Sequence, residues 1–375
     1  MRITFPAWFL AGFLLSGISA PAQRRKVTDA EVRDIQKNAL LIDTHNDVTS
    51  KTVDGFDIGK RSAEGHTDLP RLREGGVGAV FFAVYVAADY AKESHSANRA
   101  LQMIDTVRHD IVARYPQDFQ LALSAADIEA AHKNGRIAAL MGLEGGHAVE
   151  DSVRLVRDFY ALGIRYMTLT HNNTNRWADS SGDAKMAAVE HHNGLTDLGR
   201  QIVREMNRLG MIVDISHVAD KTFWDALETS SAPIFASHSS CRAISNIARN
   251  MTDEMIVALA KKGGVIQINF GCDFLSQSSA DAVRAHQKTV RAQLSGVVAN
   301  IDHVVKIAGI DAVGIGSDFD GVKCVPVGLD DVSKFPNLTR ALLEKGYSAE
   351  DIRKIYGENT LRLMRAVESA RQEIH

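Results

Sequence analysis

Uninterrupted apolar runs alternate with amphipathic stretches along the whole chain. Val77 to Val86 and Ile137 to Leu143 are continuously apolar, without the in-out alternation of a strand that has one wet face. Such runs predict strands covered on both sides, as in a parallel sheet. Similar, shorter runs occupy Ala39 to Ile42, Ile164 to Thr170, Met211 to Ile215, Pro233 to Ser237, Val265 to Phe270 and Ala312 to Gly316.

The segments between them carry helix signals. Thr28-Asp29-Ala30-Glu31 starts a helix that runs to about Leu40, and Ser124 to Asn134 opens on a Ser-Ala-Ala-Asp cap and stops at Gly135. Further helices are predicted before Gly75-Gly76 and over Ala91 to Arg114, Asp151 to Leu162, Leu195 to Leu209, Asp220 to Glu228, Thr252 to Lys262, Ala280 to Ala308 and Asn337 to Ala370. Eight strands separated by helices, with no short repeat and no change of composition, predict a (β/α)8 TIM barrel. It would form one domain over residues 23–375, with C-terminal helices. An open doubly wound sheet is the alternative. No Gly-rich phosphate fingerprint follows the first strand, which argues against a nucleotide-binding version of it.

The N-terminus changes the picture of where the protein works. Met1-Arg2 is cationic, Phe5 to Ile18 is mostly apolar and Ala20-Pro21-Ala22 is a small-x-small cleavage site, so residues 1–22 are expected to be a signal peptide. The mature chain is then periplasmic or secreted. The apolar run is shorter than the roughly 20 residues of a membrane span, no Cys lies near the cleavage site, and the polar C-terminus lacks a hydrophobic tail. No membrane anchor is expected in the mature chain. A net charge of -3 gives no bias toward nucleic acid. Of Cys241, Cys272 and Cys324 at least one thiol must be left over, and the sequence does not assign a pair.

Candidate chemistry sits at the strand ends. Six of the eight predicted strands run into a metal-ligand residue type: His45 and Asp47, Glu144, His171, His217, His238 and Asp318. In a barrel these ends converge on the face where active sites are built. Imidazoles and carboxylates without a thiolate suit zinc. Three imidazoles and two carboxylates exceed one tetrahedral ion with an open position, which points to two ions sharing a bridging carboxylate. Glu144 is the natural bridge, because it lies between the two ligand groups in the chain and Gly145-Gly146 leaves room beside it.

Ile42-Asp43-Thr44-His45-Asn46-Asp47, Gly142-Leu143-Glu144-Gly145, Tyr166 to Asn172, Asp214-Ile215-Ser216-His217, Ala236-Ser237-His238-Ser239 and Gly316-Ser317-Asp318-Phe319-Asp320-Gly321 occur in that order. Over about residues 40 to 365 the chain resembles the renal or membrane dipeptidase family. The resemblance implies a metallo-dependent hydrolase barrel with two zinc ions, His45 and Asp47 on one, His217 and His238 on the other, and Glu144 bridging. It also implies that His171 contacts substrate near the scissile carbonyl, that Arg249 holds the C-terminal carboxylate, that Asp318 is the acid-base residue, and that the protein is a homodimer.

The chemistry agrees with those roles. A hydroxide bridging two zinc ions, its parent water acidified to about pKa 7, can attack a peptide carbonyl. Zinc and His171 can stabilise the oxyanion, and Asp318 can take the proton of the water and hand it to the leaving amine. The guanidinium fork of Arg249 suits a free carboxylate and hence a dipeptide. Two other functions fit the same residues: a metal-dependent amidohydrolase acting on an acyl-amino acid, lactam or lactone, and a non-catalytic zinc or ligand-binding barrel.

Around this set, Asp320 and His147 are expected to be supporting residues, and His191 and His192 to be solvated. Asn172 to Asn193 is a candidate substrate-covering loop, in which Trp177 either covers the pocket or braces the loop. The segment Phe270-Gly271-Cys272-Asp273-Phe274 departs from what the resemblance implies and leaves side-chain preference open. The relatives' structural cysteines and lipid-anchor signal are not found at comparable places, which argues against carrying over membrane attachment or disulfide-linked assembly.

Overall fold

Eight parallel strands pair in chain order into a barrel in the computed structural model, which describes residues 1, 26–92 and 95–372. Apart from Met1, the expected signal peptide lies outside the described residues. The strands are β1 (Leu41–Asn46), β2 (Val77–Tyr85), β3 (Phe119–Leu121), β4 (Ile137–Glu144), β5 (Ile164–Thr168), β6 (Ile212–Asp214), β7 (Phe235–Ser239), β8 (Val265–Ile268) and β9 (Val313–Ile315). The path runs β1-β2-β4-β5-β6-β7-β8-β9, and β3 is an extra strand paired only with β4. The ring closes just beyond β9, where the Asp318 amide donates to the His45 carbonyl at 3.0 Å and the Asp47 amide to the Phe319 carbonyl at 2.9 Å.

Successive residues of β2 and β4 face two different cores, which is why these strands are apolar throughout. Val80, Phe82, Val84, Met141 and Leu143 pack outward against the helical layer, while Ala79, Phe81, Ala138 and Leu140 join Ile42, Tyr166 and Phe235 inside. Gly142 makes that interior possible. A Cβ there would lie 1.9 Å from the Tyr166 ring, so only glycine lets the tyrosine cross the barrel.

The helices begin largely where their caps predict. Thr28 and Glu31 form a capping box for Asp29–Asn38, and Ser124 caps Ala125–Lys133. Two expected long helices are interrupted. Ala91 to Arg114 includes the helix Ser96–Asp105 running into a wider turn, Thr106–Ala113. Ala280 to Ala308 is split between Gln277–Arg284 and Leu294–Ala308, because residues 287–291 are exposed and offer no apolar stripe to bury. The intervening chain instead pairs with the loop after β9, Val327 bonding to Ala292 and Leu294.

Cys272 and Cys324 form a disulfide across 52 positions, and Cys241 is the free buried thiol. The bridge joins the loops that follow β8 and β9, on the face carrying the candidate ligands. No helix among the described residues is long and apolar enough to cross a membrane.

Candidate active site

Glu144, the last residue of β4, stands at the centre of the barrel mouth. Its Oε1 is 3.0 Å from His217 Nε2 and 3.3 Å from His238 Nε2, and its Oε2 is 3.5 Å from His45 Nε2. Asp47 Oδ2 lies 3.2 Å from the same His45 nitrogen. The five expected ligands are thus brought together, although they come from positions 45 to 238 of the chain. Donor atoms also group within 4.8 Å of one another in the sets Glu144-His171-His217 and His45-Asp47-Asp318, so His171 and Asp318 reach the same centre. His217 and Asp318 take left-handed backbone conformations, φ 69° and 61°, which bend each chain segment over the mouth.

The outer hydrogen bonds decide which nitrogen each imidazole turns inward. Tyr166 donates its hydroxyl to the Thr44 carbonyl at 3.2 Å, so at 2.7 Å it accepts from His45 Nδ1. Ser237 donates to Asp214 Oδ2 at 2.6 Å and therefore accepts from His238 Nδ1 at 2.8 Å. His217 Nδ1 is 3.1 Å from the amide oxygen of Asn172, again an acceptor. With each Nδ1 carrying a proton, all three Nε2 atoms present lone pairs to the centre, the arrangement of metal-ligating histidines.

Those lone pairs and carboxylate oxygens face one another, and His217 Nε2 and His238 Nε2 are only 3.0 Å apart. Among the described residues neither His45 Nε2 nor Asp47 Oδ2 has a hydrogen-bond partner, though both are buried. Such a cluster needs a cation at its centre, and the donor set fits zinc or a similar divalent ion. Electrostatics point the same way for His217 and His238. Burial and nearby cationic or imidazole groups, Arg249 beside His217 and His45 beside His238, hold both imidazoles well below their usual pKa and hence neutral. Burial acts to lower His45 as well, but Tyr166 and the carboxylates of Glu144 and Asp47 outweigh it and raise its pKa well above the usual value, a positive charge that a bound cation would take over. Burial opposes charge on Glu144, but the three histidines outweigh it and keep it a carboxylate. Burial, followed by the charges of Asp47 and Glu144, pushes Asp318 well above the usual carboxylate range.

A cavity of about 530 Å³ opens over this centre, lined among others by Tyr85, His171, Arg249, Asp273, Phe274 and Asp318. Arg249 is half-buried, with its guanidinium 5.2 Å over the Phe274 ring. Its Nη2 donates to the His238 carbonyl at 3.2 Å, while Nη1 has no hydrogen-bond partner among the described residues. Asn269 donates to Asp318 Oδ2 at 2.7 Å, and His171 packs edge-on to Tyr85 with centroids 4.8 Å apart.

Of the residues around this set, His192 differs from expectation, and for Trp177 one of the two expected readings holds. Trp177 is fully buried against Gly146 and braces the Asn172 to Asn193 loop from beneath, so it does not cover the pocket. His192 is half-buried, its Nε2 2.8 Å from the Asn175 carbonyl, because the loop folds back on itself. Asp320 is a supporting residue as expected: its Oδ1 accepts from Lys51 Nζ at 2.8 Å and from the His66 amide at 2.9 Å. Tyr166, Ser237, Asp214, Asn172 and Asn269 were given no role by the sequence. All but Asn269 stand inside the quoted motifs, so their signal was proximity to a ligand position, while Asn269 had none.

A parallel barrel whose C-terminal mouth gathers buried histidines and carboxylates defines the class of metal-dependent hydrolases. The match to the family model for membrane dipeptidases (peptidase family M19) spans residues 29–375, and the chain belongs to that family. It is similar to a probable dipeptidase from Pseudomonas aeruginosa, PvdM, at 25% identity over 91% of this chain and 98% of that one, with a TM-score of 0.80. A metallo peptidase from Rhodobacter sphaeroides, liganded with a phosphinate mimic of L-Ala-D-Ala, matches at 26% identity, 88% and 99% coverage and a TM-score of 0.78. A third structure, dipeptidase AC, matches at 28% identity, 88% and 98% coverage and a TM-score of 0.78. The chain is accordingly a metallo-dipeptidase on a TIM barrel.

Proposed function

We propose that the protein hydrolyses dipeptides at a two-zinc centre, with His45 and Asp47 holding one ion, His217 and His238 the other, and Glu144 shared. The observation that carries this reading is the inward lone pair of three buried imidazoles around one buried carboxylate. When bound, the two ions supply an acidified water and polarise the scissile carbonyl.

The chain's own groups supply the rest. Arg249 Nη1, buried and without a partner among the described residues, receives the substrate's C-terminal carboxylate and sets the distance from that end to the centre. His171, at the rim of the centre, donates to the oxyanion. Asn269 occupies Oδ2 of Asp318, which leaves Oδ1 to accept the proton of the attacking water and return it to the leaving amine. The same reading takes residues 1–22 as a signal peptide and the remainder as an exported catalytic domain.

Metal analysis of protein purified without chelator should give about two zinc per chain, and folded Glu144→Gln should lose both metal and dipeptide hydrolysis. A metal content near zero in the active wild-type protein, or full activity in Glu144→Gln, would overturn the reading.

A further inference from the structure

The wall beside Arg249 is formed by the segment that follows β8, and nearly every residue of it is tied down. The Gly271 amide donates to Asn269 Oδ1 at 2.6 Å, and Cys272 is bonded to Cys324 through sulfur and through its amide, 3.0 Å from the Cys324 carbonyl. Ser245 Oγ donates to the Asp273 carbonyl, and Asn250 Nδ2 donates to the Phe274 carbonyl at 3.0 Å. This frame presents the Asp273 side chain to the cavity in a fixed position. Among the described residues no side chain bonds or ion-pairs with its carboxylate, and partial burial raises its pKa. The amides of Asp273 and Phe274 bond to this carboxylate and the Arg249 charge attracts it, which favours its anionic form. A half-buried carboxylate held this way with no side chain bonded to it can take a cation from the substrate.

The position says which cation. The carboxylate bound by Arg249 belongs to the C-terminal residue of the dipeptide, and the side chain of that residue branches from the next atom. The wall around Arg249, made by Asp273 and Phe274, therefore faces this side chain. Phe274 suits its methylene stem and Asp273 its charged end.

We propose that Asp273 is a specificity-determining residue that selects dipeptides whose C-terminal residue carries a cationic side chain, of the lysine, ornithine or arginine type. This rests on the dipeptidase reading.

The test compares kcat/KM of the zinc-loaded enzyme for Ala-Lys and for its neutral near-isostere Ala-norleucine, with D and L forms of the second residue. Wild-type protein should prefer lysine by roughly tenfold or more, the scale of one charge-assisted bond, and Asp273→Asn should bring the ratio toward one. Both substrates are measured on one preparation, so the ratio does not depend on metal loading or on the folded fraction. A wild-type ratio near one overturns the assignment without any variant. Equal loss on both substrates in Asp273→Asn would give Asp273 the task of holding Arg249 and would overturn it as well. Hydrolysis of neither substrate, nor of Ala-Ala, would remove the dipeptidase reading and this inference with it.

Discussion

The phenolic oxygen of Tyr166 on β5 lies 2.7 Å from Nδ1 of His45 on β1, a contact made straight across the barrel. It fixes the tautomer and the ring angle of an imidazole that is fully buried. Tyr166→Phe keeps the packing and removes only the acceptor. Metal affinity should fall about 10- to 100-fold, as for other outer partners of ligating histidines, measured by competition with a chelator. Unchanged affinity would show that β1 alone orients His45.

Arg249 makes a second prediction, because the Nη1 assigned to the substrate carboxylate has no other partner among the described residues. Arg249→Met should lower kcat/KM on dipeptides by roughly 100-fold, and it should lower turnover of a C-terminally amidated dipeptide far less. Equal losses on the two substrates would mean that the arginine is structural.

His147 ties stability to pH. Burial, with His171 beside it, pushes its pKa down to about 4 in the folded protein. Between pH 6.5 and 4 the unfolded chain therefore binds a proton that the fold refuses, so stability falls as pH falls through that window. At the lower end the loss reaches about 3 kcal/mol. Denaturation midpoints of wild type and His147→Gln should separate less in acid than at neutral pH, because only the wild type pays this term. Parallel pH dependence would show that His147 titrates normally.

The disulfide offers a stability test that involves no metal. Cys272 and Cys324 close a loop of 52 positions, and paired substitution to serine should cost about 2–4 kcal/mol by denaturant midpoint. A variant as stable as the wild type would mean that the hydrogen bonds of the two loops suffice.

Much of this protein is determined locally. A strand buried on both faces needs an unbroken apolar run, so the eight barrel strands, and with them the fold class, were visible along the chain. Parallel order then sends all the strand ends to one face, so His45, Asp47, Glu144, His171, His217, His238 and Asp318 could be gathered from sequence before any distance was known. The three-residue strand β3 was missed because one buried and two partly buried residues are too few to carry a periodicity. The interruption between Arg284 and Leu294 was missed because the helix signals on either side hide a pairing to a loop far along the chain. Only the tertiary structure decided which cysteines pair, that Trp177 props its loop from below, and that Tyr166, Ser237 and Asn172 turn three imidazole lone pairs inward. Each of these depends on atoms brought together across the barrel or between loops, where contact follows from the closure of the ring and leaves no periodic trace in the sequence.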